Sequence, residues 1–118
     1  EVSNGLVGVR LSTVTAWCAC EELMQRIADK YGLHTYYYTE EPGMEIFQTN
    51  DAEGLFFSAR YMMYSEGRGC GYFEDFEEVA SVIREMTGVE VRQFEDVEPM
   101  LAEWNTHSFL QVHEIEIV

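Results

Sequence analysis

Two stretches of the chain carry apolar residues at helical spacing, and the segments around them do not. In residues 20–31 the apolar side chains recur at intervals of three and four, and the same spacing returns in residues 76–86. This period predicts two amphipathic helices. Gly32 and Gly88 follow them directly, and a glycine in the left-handed conformation ends a helix at little cost. Both helices therefore have a defined end.

The segments before and between these helices have the composition of strands. Residues 6–14 alternate apolar and polar side chains, and residues 33–39 and 44–49 flank a Glu-Pro-Gly turn at 41–43. Residues 55–64, which follow a second turn, are rich in Phe and Tyr. These patterns predict a first strand, a hairpin and a further strand.

The last third of the chain predicts three shorter elements. Residues 89–94 suit a short strand, and Asp96 is a good N-cap for a brief helix that reaches Trp104. Residues 109–118 predict a final strand. Its apolar parity switches after Val112, which indicates either a bulge or a change of partner.

The predicted order of elements is β, α, β, β, β, α, β, α, β. We interpret this order as one domain over residues 1–118, an α+β two-layer sandwich of ferredoxin-like type with a mainly antiparallel sheet and two main helices on one face. The chain is 47% apolar, so it can bury a core without disulfides or a structural metal.

Charge limits the partners of the chain. Twenty-two acidic residues against seven basic ones give a net charge of -15, which disfavours direct binding to nucleic acid or to an anionic membrane face. No apolar run approaches the roughly 20 residues that a membrane helix needs. Three cysteines cannot all pair with one another, which indicates a reducing, cytoplasmic compartment.

Acidic residues concentrate in the second half of the chain. Eight of them define what we call the acidic face: Glu74, Asp75, Glu77, Glu78, Glu85, Glu95, Asp96 and Glu98. Three interpretations stay open. The face gives solubility, it recognises a basic protein, or it imitates the charge of a DNA backbone and so inhibits a nucleic-acid-binding host-defence protein.

Tyrosines concentrate near the predicted hairpin. Tyr36, Tyr37, Tyr38 and Tyr61 define a predicted aromatic sheet face. Exposed aromatics on a sheet stack RNA bases in some folds, but such sites are rimmed with Lys and Arg, whereas this region is rich in Glu and Asp. The pattern favours a protein-binding patch or aromatic pairs that steady the sheet.

Cysteine, histidine and glycine motifs give weaker signals. Cys18 and Cys20, with His34 or Cys70, offer zinc ligands at an unusual spacing, and buried structural cysteines are the favoured interpretation. The glycines in residues 67–71 suit a flexible connection better than a phosphate loop, because acidic residues follow directly. We expect no metal and no cofactor. A small enzyme using Cys18, Cys70 or a carboxylate pair is the alternative of another class.

The segment Thr15-Ala16-Trp17, the helix after it, the Tyr-rich strand, Glu-Pro-Gly at 41–43 and the next strand together resemble the YubB or Api92 family, over residues 6–64. Members are small proteins of plasmids, phages and integrative elements. The resemblance implies a ferredoxin-like domain and a mobile-element setting, and it transfers no catalytic residue.

These observations together predict a non-enzymatic, cytoplasmic, acidic protein-interaction domain encoded by a mobile element. The acidic face and the aromatic sheet face are the two predicted contact surfaces. The strand at 109–118 is the predicted edge for a homodimer.

Overall fold

A computed structural model describes residues 2–3, 6–14, 20–104 and 110–118. Its contacts separate the chain into two compact units, Glu1–His34 and Thr35–Val118. The single domain over residues 1–118 stays a prediction. The Thr15-Ala16-Trp17 motif lies outside the described residues.

The first unit holds a minimal strand pair and one helix. Strand β1 (Val2–Ser3) pairs antiparallel with β2 (Leu6–Val7). The strand predicted over residues 6–14 is therefore wrong beyond Val7, and residues 8–14 are irregular. Alternation of apolar and polar residues shows only that one face of the segment suits burial. A strand also needs hydrogen bonds to a neighbouring strand, and β1 pairs only with the two residues of β2.

Helix α1 (Glu21–Tyr31) confirms the first predicted helix. Glu21 and Glu22 lie in its first turn and Lys30 in its last, so the charges at both ends interact favourably with the helix dipole. Gly32 follows with φ of 65°, the left-handed conformation that the sequence predicts for it.

The second unit contains two three-stranded sheets. The strands are β3 (Tyr38–Glu41), β4 (Ile46–Thr49), β5 (Tyr61–Ser65), β6 (Gly69–Phe73), β7 (Leu110–Glu114) and β8 (Glu116–Ile117). One sheet has the order β3-β4-β8, with β8 parallel to β4. The other has the order β6-β5-β7 and is antiparallel throughout.

Helices α2 (Phe76–Thr87) and α3 (Val97–Trp104) confirm the two later predicted helices. The strand predicted over residues 89–94 is wrong, because the chain there leads into a 3-10 turn at Phe94–Asp96. The Asp96 carboxylate accepts hydrogen bonds from two backbone N–H groups just before that turn, at Arg92 and Gln93. A side chain that captures these donors removes them from any strand ladder.

The C-terminal segment changes partner, as the switch of apolar parity indicates. β7 pairs with β5, the Ile115 amide then donates to the Arg60 carbonyl oxygen at 2.8 Å, and β8 pairs with β4. This segment therefore connects the two sheets. Phe109, where the strand was predicted to begin, lies outside the described residues.

Two apolar cores lie on opposite faces of β5. Met63 packs with residues of α2, α3 and β7 in the larger core, which includes Val79, Ile83, Val91, Val97, Met100, Leu101 and Leu110. Met62 faces the other way, into a smaller core with Phe47, Ala59 and Ile115.

The described residues thus form an α+β structure. None of their helices has both the length and the apolar composition needed to cross a bilayer.

Candidate functional site

The most ordered polar arrangement in the second unit surrounds Asp51. Its side chain is 1% exposed. Oδ1 accepts a hydrogen bond from the Leu55 amide at 2.9 Å, and Oδ2 accepts from the Phe56 and Phe57 amides at 2.7 and 2.8 Å. These bonds close residues 51–57 into a compact loop. The strand predicted over residues 55–64 is therefore wrong for residues 55–60 and is limited to β5.

The backbone amides of this loop determine the protonation state of the Asp51 carboxyl group. Burial acts to raise the pKa of the Asp51 carboxyl, but the amides of Phe56, Phe57, Leu55 and Gly54 together outweigh burial and hold the pKa below its usual value. The Asp51 carboxylate is therefore an ionised acceptor for the Leu55, Phe56 and Phe57 amides, while the Gly54 amide donates to the Asp51 carbonyl oxygen.

Arg60 fixes the other side of the loop. Its Nη1 donates to the carbonyl oxygens of Ala59 and Phe57 at 2.8 and 3.3 Å, and its Nη2 donates to those of Asp51 and Ala52 at 2.9 and 3.2 Å. One planar guanidinium thus donates to four carbonyl groups. The ammonium group of a lysine has no such planar arrangement of donors.

Two further side chains tie this loop to the segment before β3. The Asn50 amide accepts from the Tyr37 N–H and donates to the Thr35 carbonyl oxygen, both at 2.8 Å. The Thr49 hydroxyl donates to the Tyr37 carbonyl oxygen at 2.7 Å and accepts from the Asp51 amide. The strand predicted over residues 33–39 begins only at Tyr38, because side chains take the backbone groups ahead of it.

The tip of the loop presents apolar side chains to solvent. Leu55 is 47% exposed and Phe56 46% exposed, and Tyr36, at 42%, has its ring centroid 5.1 Å from that of Phe56. We call these three side chains the apolar tip. The Asp51 carboxylate accepts from the Leu55 and Phe56 amides, and Asn50 bonds the residues on either side of Tyr36. The tip is therefore presented from a hydrogen-bonded framework.

A second aromatic group, the tyrosine cluster, lies beside the loop and comprises Tyr38, Phe57, Tyr72 and Glu40. The Tyr38 and Phe57 rings stack at 4.2 Å, and Tyr72 meets both edge-on. Both tyrosine hydroxyls donate to Oε2 of Glu40, at 2.6 and 2.8 Å. Burial and these bonds raise the pKa of Tyr72 to about 12 and that of Tyr38 above its usual range, so both phenols stay neutral donors.

The four residues of the predicted aromatic sheet face do not share one surface. Tyr36 belongs to the apolar tip, Tyr38 to the tyrosine cluster, and the Tyr37 backbone is bonded by Asn50 and Thr49. Tyr61 packs against the larger core, with ring centroids 5.6 Å from Phe76 and 6.1 Å from Phe94.

Sequence reasoning missed the roles of Asp51 and Arg60 and the participation of Tyr72. The Asn-Asp-Ala-Glu-Gly segment at 50–54 signals a turn, but it does not show which distant amides the carboxylate accepts from.

Local bonds engage at least four residues of the acidic face. Asp75 caps α2, Asp96 caps the turn before α3, Glu74 accepts from the Ser58 hydroxyl at 2.6 Å, and Glu85 pairs with Arg68 at 3.0 Å. Every residue of the acidic face except Asp96 is exposed. Structural roles for individual acids therefore accompany the high charge.

Replacement of Asp75 by alanine is expected to lower the free energy of unfolding by about 1 kcal/mol, because its carboxylate satisfies the Glu78 amide at the start of α2. Urea unfolding followed by circular dichroism measures this change. Glu77→Ala is the matched control, since Glu77 is exposed and makes no cap. An equal loss in both variants would contradict the capping role.

The predicted thiol and metal ligands do not come together in the described residues. Cys20 is exposed at the N-cap of α1, and Cys70 is exposed on β6, so the expected burial of these two cysteines is wrong. His113 stacks on Phe47 with ring centroids 4.4 Å apart, and burial lowers its pKa. Cys18 lies outside the described residues. Within those residues, no group of three His, Cys, Asp or Glu side chains is arranged to hold a metal.

An open depression of about 460 Å³ lies beside the C-terminal strands. Its lining comprises Arg60, Tyr61, Glu114, Ile115, Glu116 and Ile117. The Arg60 guanidinium is engaged with the four carbonyl groups of the loop. The lining offers two carboxylates and no thiol or imidazole.

Comparison with known proteins gives no family for the chain. No protein-family model, no curated protein and no solved structure matches it. The contacts of the second unit are therefore the only guide to its function.

Proposed function

We propose that this chain is a protein-interaction module whose primary contact is the apolar tip, Tyr36, Leu55 and Phe56. The observation that carries the proposal is a solvent-facing aromatic pair, Tyr36 and Phe56, in which Phe56 lies on a loop that a buried carboxylate and a guanidinium hold in place. No catalytic role enters this proposal.

Fixed aromatic side chains suit this role energetically. Binding loses free energy when loops and side chains must be ordered, so a loop that is already ordered loses less. Tyr, Trp and Phe are enriched in protein interfaces, and Trp and Tyr are enriched among the few positions that supply most of the binding energy. Phe56 is the best placed of the three, because it lies at the loop tip and its amide is bonded to Asp51.

Charge selects the partner. The chain carries -15 overall, and Glu53 is exposed in the loop itself. Arg and Lys side chains pair with carboxylates and also stack on aromatic rings. We therefore propose a basic segment of another protein as the partner, rather than nucleic acid or a membrane surface. Mimicry of DNA is not part of the proposal, because the surface that carries the proposal is the apolar tip and not the acidic face.

Binding of basic peptides tests the proposal. A panel of fluorescent Arg- and Lys-rich peptides, each with and without aromatic residues, is titrated with the full chain and followed by anisotropy. Phe56→Ala is expected to weaken the best peptide about tenfold, the usual scale of an aromatic hot spot. The variant leaves the net charge unchanged, so a loss reports the tip and not bulk electrostatics.

Tyr64→Ala is the matched control, because Tyr64 is also an exposed aromatic residue but lies on β5. It is expected to bind as the native chain does. Equal binding by the native chain, Phe56→Ala and Tyr64→Ala would show that net charge alone attracts the peptides, and the proposal would then be wrong.

The broader setting is also a proposal. The β5–β6 hairpin, α2 and the return of β7 onto β5 support a ferredoxin-like topology. Two exposed free thiols, Cys20 and Cys70, support a reducing, cytoplasmic compartment. A mobile-element origin follows only from the resemblance to the YubB or Api92 family.

A further inference from the structure

Strand β6 is the outer strand of its sheet, and it differs from the other outer strands of the second unit. Within residues 35–104 and 110–118, only β5 pairs with β6. The other outer strands each carry at least one glutamate: Glu40 and Glu41 in β3, Glu114 in β7 and Glu116 in β8. β6 has the sequence Gly-Cys-Gly-Tyr-Phe and carries no charge.

Charged residues, prolines and bulges are the usual means by which an outer strand avoids pairing with another chain. The absence of charge from β6 is notable in a chain with 22 acidic residues. Gly69 and Cys70 are exposed, and Tyr72 is 44% exposed. This edge therefore keeps its capacity to accept a further strand.

The charges at the two ends of β6 have opposite sign. Arg68 directly precedes the strand and Glu74 directly follows it. An edge of this kind is complementary to itself when two copies run antiparallel. In a pairing centred on Gly71, Cys70 lies opposite Tyr72 of the second copy. Arg68, in the turn before Gly69, then lies at the same end of the interface as Glu74 of the second copy.

We propose that β6 pairs antiparallel with β6 of a second copy of this chain, about a two-fold axis at Gly71. The β6-β5-β7 sheet thereby continues across the axis as a six-stranded sheet. Such an interface is isologous, so Arg68 of each copy meets Glu74 of the other and the interface contains two such pairs.

Arg68 and Glu74 already make contacts within one copy, and these contacts compete only weakly with the proposed intermolecular pairs. Arg68 pairs with Glu85 at 3.0 Å, and Glu74 accepts from Ser58 at 2.6 Å, and both contacts are exposed. Exposed pairs of this kind contribute little to stability, so they exchange for intermolecular pairs at small cost. Two copies also repel through their net charge, and salt screens that repulsion.

Sedimentation equilibrium of the full chain tests the proposal. Loadings extend to about 1 mM, because an interface below roughly 1,200 Å² belongs to the weak class. We expect a concentration-dependent rise from 13.7 kDa towards twice that mass, and stronger association as salt is raised from low to physiological concentration. A monomer at every loading would overturn the proposal.

Charge reversal tests the register. Arg68→Glu is expected to raise the dimer dissociation constant at least about tenfold, because two attractive pairs become repulsive. The double variant Arg68→Glu, Glu74→Arg restores attraction and is expected to recover dimerisation. A dimer that Arg68→Glu leaves unchanged, or that the double variant fails to recover, would overturn this register.

A second variant guards against misfolding of Arg68→Glu. Cys70→Lys places a charge on the exposed edge and is expected to give a monomer with the native circular dichroism spectrum. Ser81→Lys, at an exposed position of α2, is the matched control and is expected to dimerise as the native chain does. If Cys70→Lys dimerises equally well, the contact lies elsewhere and the proposal fails.

Discussion

Replacement of Asp51 by alanine is expected to lower the free energy of unfolding by about 4 kcal/mol. The carboxylate is 1% exposed and accepts the Leu55, Phe56 and Phe57 amides. Its removal leaves three part-buried donors without their acceptor, and the loss of each contributes towards the lower end of the roughly 1 to 3 kcal/mol that an unsatisfied buried group costs. Urea denaturation followed by tyrosine fluorescence and circular dichroism measures the change.

Two further variants serve as comparisons for Asp51→Ala. Asp51→Asn keeps the side-chain volume and one acceptor oxygen, so we expect it to lose less stability than Asp51→Ala. Glu53→Ala, at an exposed position of the same loop, is expected to change stability by less than about 0.5 kcal/mol. A loss below about 1 kcal/mol in Asp51→Ala would show that water replaces the carboxylate and that Asp51 is not the hub of the loop.

The pH dependence of stability reports the same carboxylate. In the folded chain the pKa of Asp51 lies below the usual 3.8, so on acidification the unfolded state takes up the proton first. The stabilisation is therefore complete above the usual pKa, and it is lost as pH falls through the folded pKa. We expect the difference in stability between the native chain and Asp51→Asn to shrink over that acidic range. A constant difference would mean that ionisation of Asp51 contributes nothing.

Replacement of Arg60 by methionine is expected to lower the free energy of unfolding by about 2 to 3 kcal/mol, the range for a hydrogen-bonded charged group. The guanidinium donates to four carbonyl groups, and the Met side chain retains only the apolar stem. Because these carbonyls belong to the loop, amide hydrogen exchange of residues 51–59 is expected to accelerate more than that of α2.

Arg60→Lys and Arg92→Met are the controls. Lysine keeps the charge but lacks the planar fork, so we expect it to recover only part of the lost stability. Arg92 is exposed, and its replacement by methionine is expected to have little effect. Full recovery by Arg60→Lys would show that charge, and not the fork geometry, holds the loop. Uniform acceleration of exchange over the whole second unit would show that Arg60 supports the fold globally.

The predicted helices were confirmed because their signals are local. α1 and α2 have apolar residues at helical spacing, and each is followed by a glycine that adopts positive φ, Gly32 and Gly88. Asp75 is the N-cap of α2 and accepts from the Glu78 amide. Asp96, predicted as the N-cap of α3, accepts instead from the Arg92 and Gln93 amides that precede it. Residues that determine such features lie within one or two turns of each other, so sequence spacing is enough to find them.

The strand predictions failed where a polar side chain captures the backbone. Residues 55–57 have strand composition, but Asp51 accepts their amides, and residues 89–93 precede a turn that Asp96 caps. The tyrosine cluster was beyond prediction for another reason. Glu40 and Tyr72 are 32 residues apart in the chain, and no pattern near either residue records the bond between them.

By itself the amino-acid sequence determined the helices, their ends, the α+β class and the strongly negative charge, because each follows from neighbouring residues or from simple counting. Only the tertiary structure decided which side chains meet. It joined Asp51 and Arg60 into one framework for the apolar tip, separated Tyr61 from the other tyrosines, and left β6 as an outer strand without charge. Such contacts depend on how strands pair, and strand pairing is set by residues distant in the chain.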